Sequence, residues 1–177
     1  MPYRAIIQGW HDFYIVAGTV SATLLGLLFV GLSLHLRIIL SRDEVRSLAR
    51  VTLANLGLVL IISMFMVVPQ TMPSLRNELL FSGIVTLGLI TPSFVAARRS
   101  ETQTLHGRLI FRLALSAVAY AGVIVSSGFY SSRSFRSALS ALVAIVVALV
   151  VISLRNSWDL LVSVGEVALA ENPSQKL

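Results

Sequence analysis

The sequence predicts an all-α protein: a polytopic transmembrane helix bundle with five spans, built as a single domain over residues 1–177. Its composition is 56% hydrophobic and 12% charged with a mean hydropathy of +0.86, whereas soluble domains are roughly 45–50% apolar and ~25% charged. The first apolar run, residues 13–36, continues for 24 residues without Asp, Glu, Lys or Arg. A helix needs ~20 such residues to cross a bilayer's hydrocarbon core, so this run alone predicts a membrane protein.

The first span is entered through aromatic residues, namely Trp10, Phe13 and Tyr14. Aromatic side chains at the edge of a span are typical of the membrane interface, where the ring is apolar and the polar tip stays in water. The apolar run is also longer than the 7–15 residues of a signal peptide's core. We therefore expect residues 13–36 to remain in the membrane.

The second span is predicted over residues 49–68. Ser41 precedes Glu44 by three residues, which is the spacing of a capping box, so the helix is expected to begin near Arg42. It is expected to end at Pro69, because proline disfavours the helical conformation of the residue before it.

The remaining apolar runs predict a third span over 79–97, a fourth over 109–127 and a fifth over 138–156. Ser74 is the expected N-cap of the third helix. The last helix is predicted to extend beyond the membrane through 157–171, since no proline interrupts it before Asn172-Pro173.

The distribution of basic residues predicts the orientation. With five spans, ten of the 14 basic residues share one side: Arg37, Arg42, Arg46, Arg50, Arg98, Arg99, Arg108, Arg112, Arg155 and Lys176. The positive-inside rule then places the N-terminus outside and the C-terminus in the cytoplasm. The net charge of +6 fits a membrane face better than a nucleic-acid surface, and four arginines are expected at lipid headgroups: Arg37, Arg98, Arg99 and Arg112.

Two rows of small residues predict close contacts between helices. Gly18, Ala22 and Gly26 recur every four residues in the first span. In the fifth span the row runs at spacings of four, three and four, through Ser137, Ala141, Ala144 and Ala148. Small side chains let helix backbones approach closely in a bilayer, and the second spacing suits left-handed packing. The sequence leaves open whether each row meets a helix of the same chain or of another.

The sequence carries no recognisable reaction chemistry. It contains no Cys, and His11, His35 and His106 lie in different segments, so neither a zinc site nor another metal or cofactor is expected. Motifs of proteases, hydrolases and nucleotide-binding proteins are absent. At mid-depth the spans hold only uncharged polar residues suited to interhelical hydrogen bonds, which are Asn55, Ser63, Ser82, Thr86 and Ser116. An enzyme is therefore not expected.

The segment WHDFYIVAGTVSATLLGLLFVGLSLHL, residues 10–36, resembles the first span of small multi-spanning bacterial membrane proteins. Most of those proteins are uncharacterised, and some are labelled modulators of a membrane protease. The resemblance implies a location in the bacterial plasma (inner) membrane and transfers no functional residue.

Two function classes follow. In the first, the protein is an accessory or regulatory membrane component that works through helix contacts with a membrane-protein partner or with other copies of itself. In the second, several copies form an ion channel whose outer mouth carries Asp12 and Glu78 as rings of carboxylates. The spans carry few polar residues, which favours the accessory role. Membrane lipids are expected to surround the protein in either function class.

Overall fold

The computed structural model describes residues 3–99, 103–129 and 135–171, and all regular structure within them is helical. The prediction of an all-α bundle is therefore confirmed for this part of the chain. The six helices are α1 (Tyr3–Leu34), α2 (Leu36–Ser41), α3 (Asp43–Val67), α4 (Met72–Arg99), α5 (Gln103–Phe129) and α6 (Phe135–Glu171).

Four of these helices are long and apolar enough to cross a membrane. The qualifying stretches, within the residues described, are Gly9–Leu34, Val45–Val67, Ile110–Phe129 and Ser137–Ser163. They identify the chain as a membrane protein with transmembrane helices. The helix α4 is not among the four, and its first turns carry Arg76 and Glu78.

The central helix is α3, which contacts α1, α2, α4, α5 and α6. The helices α1 and α3 run antiparallel, as paired positions show: Gly18 and Ser21 on α1 approach Ser63 and Leu56 on α3, respectively. Within the described residues, α1 makes no contact with α4 or α5. It therefore lies at the edge of the bundle, packed mainly against α3.

The core follows the interfaces of α3. Its larger cluster joins α3, α4, α5 and α6 with part of α1, and includes Leu58, Ile62, Val123, Leu142 and Leu149, all essentially buried. A smaller cluster at the end of the bundle near α2 includes Leu28, Ile39, Leu48 and Leu160. Together these clusters hold all six helices in one bundle.

The connection between the first two spans differs from the prediction. Residues 36–41 form the short helix α2, so Ser41 is its last residue rather than the N-cap of the next helix. The N-cap of α3 is Arg42, in an extended conformation and without a side-chain cap hydrogen bond. The helix begins at the expected place, but its N-cap is Arg42 rather than Ser41. The side chain of Glu44 lies outside the described residues, so the hydrogen bonds of the capping box stay a prediction.

The boundaries of α4 and α6 also refine the prediction. Because α4 begins at Met72, the predicted N-cap Ser74 lies inside its first turn, where its hydroxyl shares a 3.0 Å hydrogen bond with that of Thr71. The helix α6 continues without a break to Glu171. Its 37 residues span ~55 Å at 1.5 Å per residue, well beyond the ~30 Å hydrocarbon core.

Candidate functional site: a buried polar network and an outward small-residue face

A polar network of three side chains lies at the centre of the bundle. Asn55, at the middle of α3, donates a hydrogen bond from Nδ2 to Ser116 Oγ of α5 at 3.1 Å, and accepts one at Oδ1 from the Tyr120 hydroxyl. All three residues are completely buried. The predicted interhelical role of Asn55 and Ser116 is confirmed, and Tyr120 is a member that the sequence reasoning missed. The network fixes the position of α5 on α3, two helices that otherwise touch little.

A charged pair lies one turn further along the same face of α5. Arg112, four residues before Ser116, donates a hydrogen bond from its guanidinium to the carboxylate of Asp159 on α6. The two side chains are 23% and 33% exposed, so the pair is shielded by protein but still reaches the surface. The arginine predicted to contact lipid headgroups thus has a carboxylate partner within its own chain.

The other polar residues expected at depth make mostly local contacts. Ser82 and Thr86 of α4 donate to carbonyls of their own helix, at 2.9 and 2.7 Å. Ser63 Oγ is buried without a hydrogen-bond partner among the described residues. The interhelical bond from α1 comes from Ser21 instead, which donates to the Leu56 carbonyl of α3 at 2.6 Å.

Only one residue of the α1 small row lies at a helix contact within the chain. A Cβ on Gly18 would lie 3.0 Å from Ser63 Cβ, whereas Ala22 and Gly26 are exposed. The cause is geometric: each four-residue step turns ~40° beyond a full helical turn, so the row winds away from α3. A second chain or lipid therefore covers Ala22 and Gly26.

The small row of α6 points away from the bundle along its whole length. All four of its residues are exposed, and the opposite side of the helix supplies the buried residues Leu139, Leu142, Val146 and Leu149. Spacings of four, three and four keep the row on one face, unlike that of α1. We call the set Ser137, Ala141, Ala144 and Ala148 the outward face of α6.

Two glycines that the sequence did not single out lie at close contacts between helices. A Cβ on Gly83 of α4 would lie 2.7 Å from Ile124 Cγ1 of α5, and one on Gly122 of α5 would lie 2.9 Å from Ile145 Cδ1 of α6. Gly83 has leucines four residues before and after it, and Gly122 has only Ser126 at that spacing, so neither forms a row like that of α1. A larger side chain at either position would meet the neighbouring helix.

The two carboxylates proposed for a pore mouth occupy different environments. Asp12 is fully exposed on α1, 3.7 Å from His11. Glu78 is partly buried on α4, and its Oε2 has no hydrogen-bond partner among the described residues. Because α1 and α4 do not touch within the described part of the chain, the two side chains do not form a common site.

The remaining candidate residues are dispersed. Arg37 is exposed on α2, and Arg98 and Arg99 are the last two residues of α4. His35 lies in the break between α1 and α2, its Nδ1 3.2 Å from the Gly31 carbonyl oxygen. Among the described residues, no three His, Asp or Glu side chains come together as metal ligands, and the expectation of no metal site stays a prediction.

Two apolar grooves open on the surface beside α1. The larger, about 1250 Å³, lies between α1, α3 and α4. The smaller, about 820 Å³, lies between α1 and α6 and has His35, Arg155 and Trp158 among its lining residues. Both extend to the end of the bundle that carries α2, which we call the α2 end.

Comparison with known proteins identifies no relative: no protein family, no curated protein and no solved structure matches this chain.

Proposed function

We propose that this protein is an accessory or regulatory component of a bacterial plasma membrane, acting through contacts between its helices and those of another chain. The observation that carries the proposal is the outward face of α6: four small residues in one line, all exposed. Small residues give little apolar area to lipid, but they allow a second helix to approach closely. The other chain is a second copy or a different membrane protein.

The proposal includes five spans, with α4 as the additional one. Its 28 residues are ~42 Å long, enough to cross the hydrocarbon core. It contacts both α3 and α5, and only residues 68–71 join it to α3, which supports a return across the same membrane. Five crossings put the N-terminus outside and the arginine-rich α2 end in the cytoplasm.

The test is the size of the complex extracted in mild detergent, with Ala144→Leu as the variant and Ala121→Leu as its control. Ala121 is an exposed alanine of α5 at nearly the same depth, as the neighbouring contact between Gly122 and Ile145 shows. We expect the wild type and Ala121→Leu to run as a defined complex and Ala144→Leu to lose it. An unchanged complex in Ala144→Leu, or a wild type that is monomeric and without a partner, contradicts the proposal.

Reconstitution in liposomes separates the accessory role from the pore. Asn55, Ser116 and Tyr120, at the centre of the bundle, hydrogen-bond to one another, which supports a structural rather than a conducting role for them. We expect no conductance above protein-free liposomes. If the protein conducts, and Asp12→Asn changes the preference for cations over anions, the pore is the correct alternative.

A further inference from the structure

The larger groove exists because α1 and α4 both lie on α3 without meeting. Its floor is α3, where Ala54 and Gly57 supply small residues, and its walls carry Phe29 of α1 and Leu89 of α4. A Cβ on Gly57 would meet no atom within 4 Å, and the same is true of Gly88 on the α4 wall. The groove is thus an open channel along the bundle surface, about 1250 Å³ in volume.

The lining of this groove is almost entirely apolar, but two arginines lie at one end. Arg46 and Arg50 are spaced by one helical turn on α3, are exposed, and line the groove at the α2 end. From Arg50 to Ile61, another lining residue, the helix rises ~16 Å, about half of a ~30 Å hydrocarbon core. The groove therefore combines a positive end with an apolar path as long as one leaflet.

We infer that this groove binds an anionic phospholipid, with its phosphate at Arg50, one turn from Arg46, and an acyl chain along Ala54 and Gly57. Guanidinium groups bind phosphate through paired, charge-assisted hydrogen bonds, and basic pockets between transmembrane helices suit lipid headgroups. Arg50 lies 17 residues before the end of α3 at Val67, or ~26 Å. With Val67 at the opposite boundary of a ~30 Å hydrocarbon core, Arg50 lies just inside the near boundary, where a phosphate compensates its charge.

Charge decides between lipid and a transmembrane helix as the occupant. A helix seated in the groove would have to present a carboxylate at the depth of Arg50, which is costly in a bilayer. The headgroup of an anionic lipid already carries its negative charge at the interface. The inference concerns a different surface from the outward face of α6 and does not depend on the proposed accessory role.

Native mass spectrometry of the full chain in detergent tests the inference directly. The protein is titrated with dioleoyl phosphatidylglycerol and, separately, with dioleoyl phosphatidylcholine, which has the same chains and no net charge. We expect the first phosphatidylglycerol to bind at least tenfold more tightly than phosphatidylcholine, since each arginine near the headgroup contributes about fivefold. The double variant Arg46→Gln/Arg50→Gln should lose this preference.

Two matched controls locate the lipid. Arg37→Gln removes one charge from the same end without touching the groove, and it should keep the preference. Gly57→Leu fills the floor and should weaken binding of both lipids about tenfold, whereas Gly26→Leu, on an exposed surface outside the groove, should not. If Gly57→Leu does not fold, Gly88→Leu fills the groove from α4 and serves in its place.

Three results would overturn the inference. The first is equal affinity for the two lipids in the wild type. The second is an equal loss of preference in Arg37→Gln and in the double arginine variant, which would indicate general attraction to a basic surface. The third is unchanged lipid binding in a folded groove-filling variant, which would indicate lipids bound all around the bundle.

Discussion

Tyr120→Phe tests the central polar network with the smallest possible change, because it removes only the hydroxyl that donates to Asn55 Oδ1. The ring remains in the core, so no large cavity is formed. Interhelical hydrogen bonds in bilayers contribute ~0.6 kcal/mol on average and up to ~1.7 kcal/mol. Since the variant also leaves a buried amide oxygen with one partner fewer, we expect the free energy of unfolding to fall by ~1–1.7 kcal/mol.

The companion variant Asn55→Ala removes the one residue of α3 that belongs to the network. It breaks the bonds to Ser116 and Tyr120 together, so its cost should exceed that of Tyr120→Phe. In this background the Tyr120 hydroxyl is buried without its acceptor, and replacing it by phenylalanine should be neutral or stabilising. The coupling between the two changes is therefore expected to be at least ~1–1.7 kcal/mol.

The assay is reversible unfolding in mixed micelles, in which the fraction folded is followed as a denaturing detergent is increased. Thr52→Val is the control, because it removes an equally buried hydroxyl of α3 whose hydrogen bond goes to the Leu48 carbonyl of its own helix. That variant should change stability by less than ~0.5 kcal/mol. An equal cost of Tyr120→Phe in the wild-type and Asn55→Ala backgrounds would refute the network.

Three further predictions follow from other contacts. Gly83→Ala should be ~1–3 kcal/mol less stable than Gly88→Ala in the same unfolding assay, since both gain helix propensity but only the first meets a neighbouring helix at 2.7 Å; equal stabilities would exclude the close α4–α5 contact. Asp159→Asn should lower stability by more than the ~1 kcal/mol of an exposed pair and less than the ~3–5 kcal/mol of a fully buried one, because its arginine partner stays half-buried; no loss would show that water replaces the carboxylate. A cysteine at Ser74 should react with an impermeant thiol reagent in intact cells and one at Ser100 should not, and the reverse pattern would invert the proposed topology.

The sequence predicts the helices well because a long apolar run has few alternatives in a bilayer. It fails at α2, where residues 36–41 combine Leu, Ile and Arg and give no clear periodicity. At this point the end of α2 competes with the start of α3 for the same residues, and Arg42 rather than Ser41 becomes the N-cap. Helix ends depend on such local competition more than helix centres do.

The site was predictable only where a residue type needs a particular partner at its position. Asn55 at the centre of an apolar helix requires a partner, and the structure supplies one from α5. The partner of Arg112 was not predictable, because Asp159 lies 47 residues away, beyond the predicted fifth span and in the expected extension of the last helix. The spacing of the α1 small row also misled, since a four-residue repeat winds around the helix and only Gly18 stays at the contact.

The central claim is that another transmembrane helix covers the outward face of α6, and photo-cross-linking in native membranes measures this directly. A photoreactive amino acid is placed at Ala144, and in a parallel sample at Ala121, the exposed α5 position of nearly equal depth. The account predicts a discrete protein adduct of one defined mass from position 144 and none from position 121. Absence of a protein adduct at 144, with lipid adducts at both positions, would contradict it.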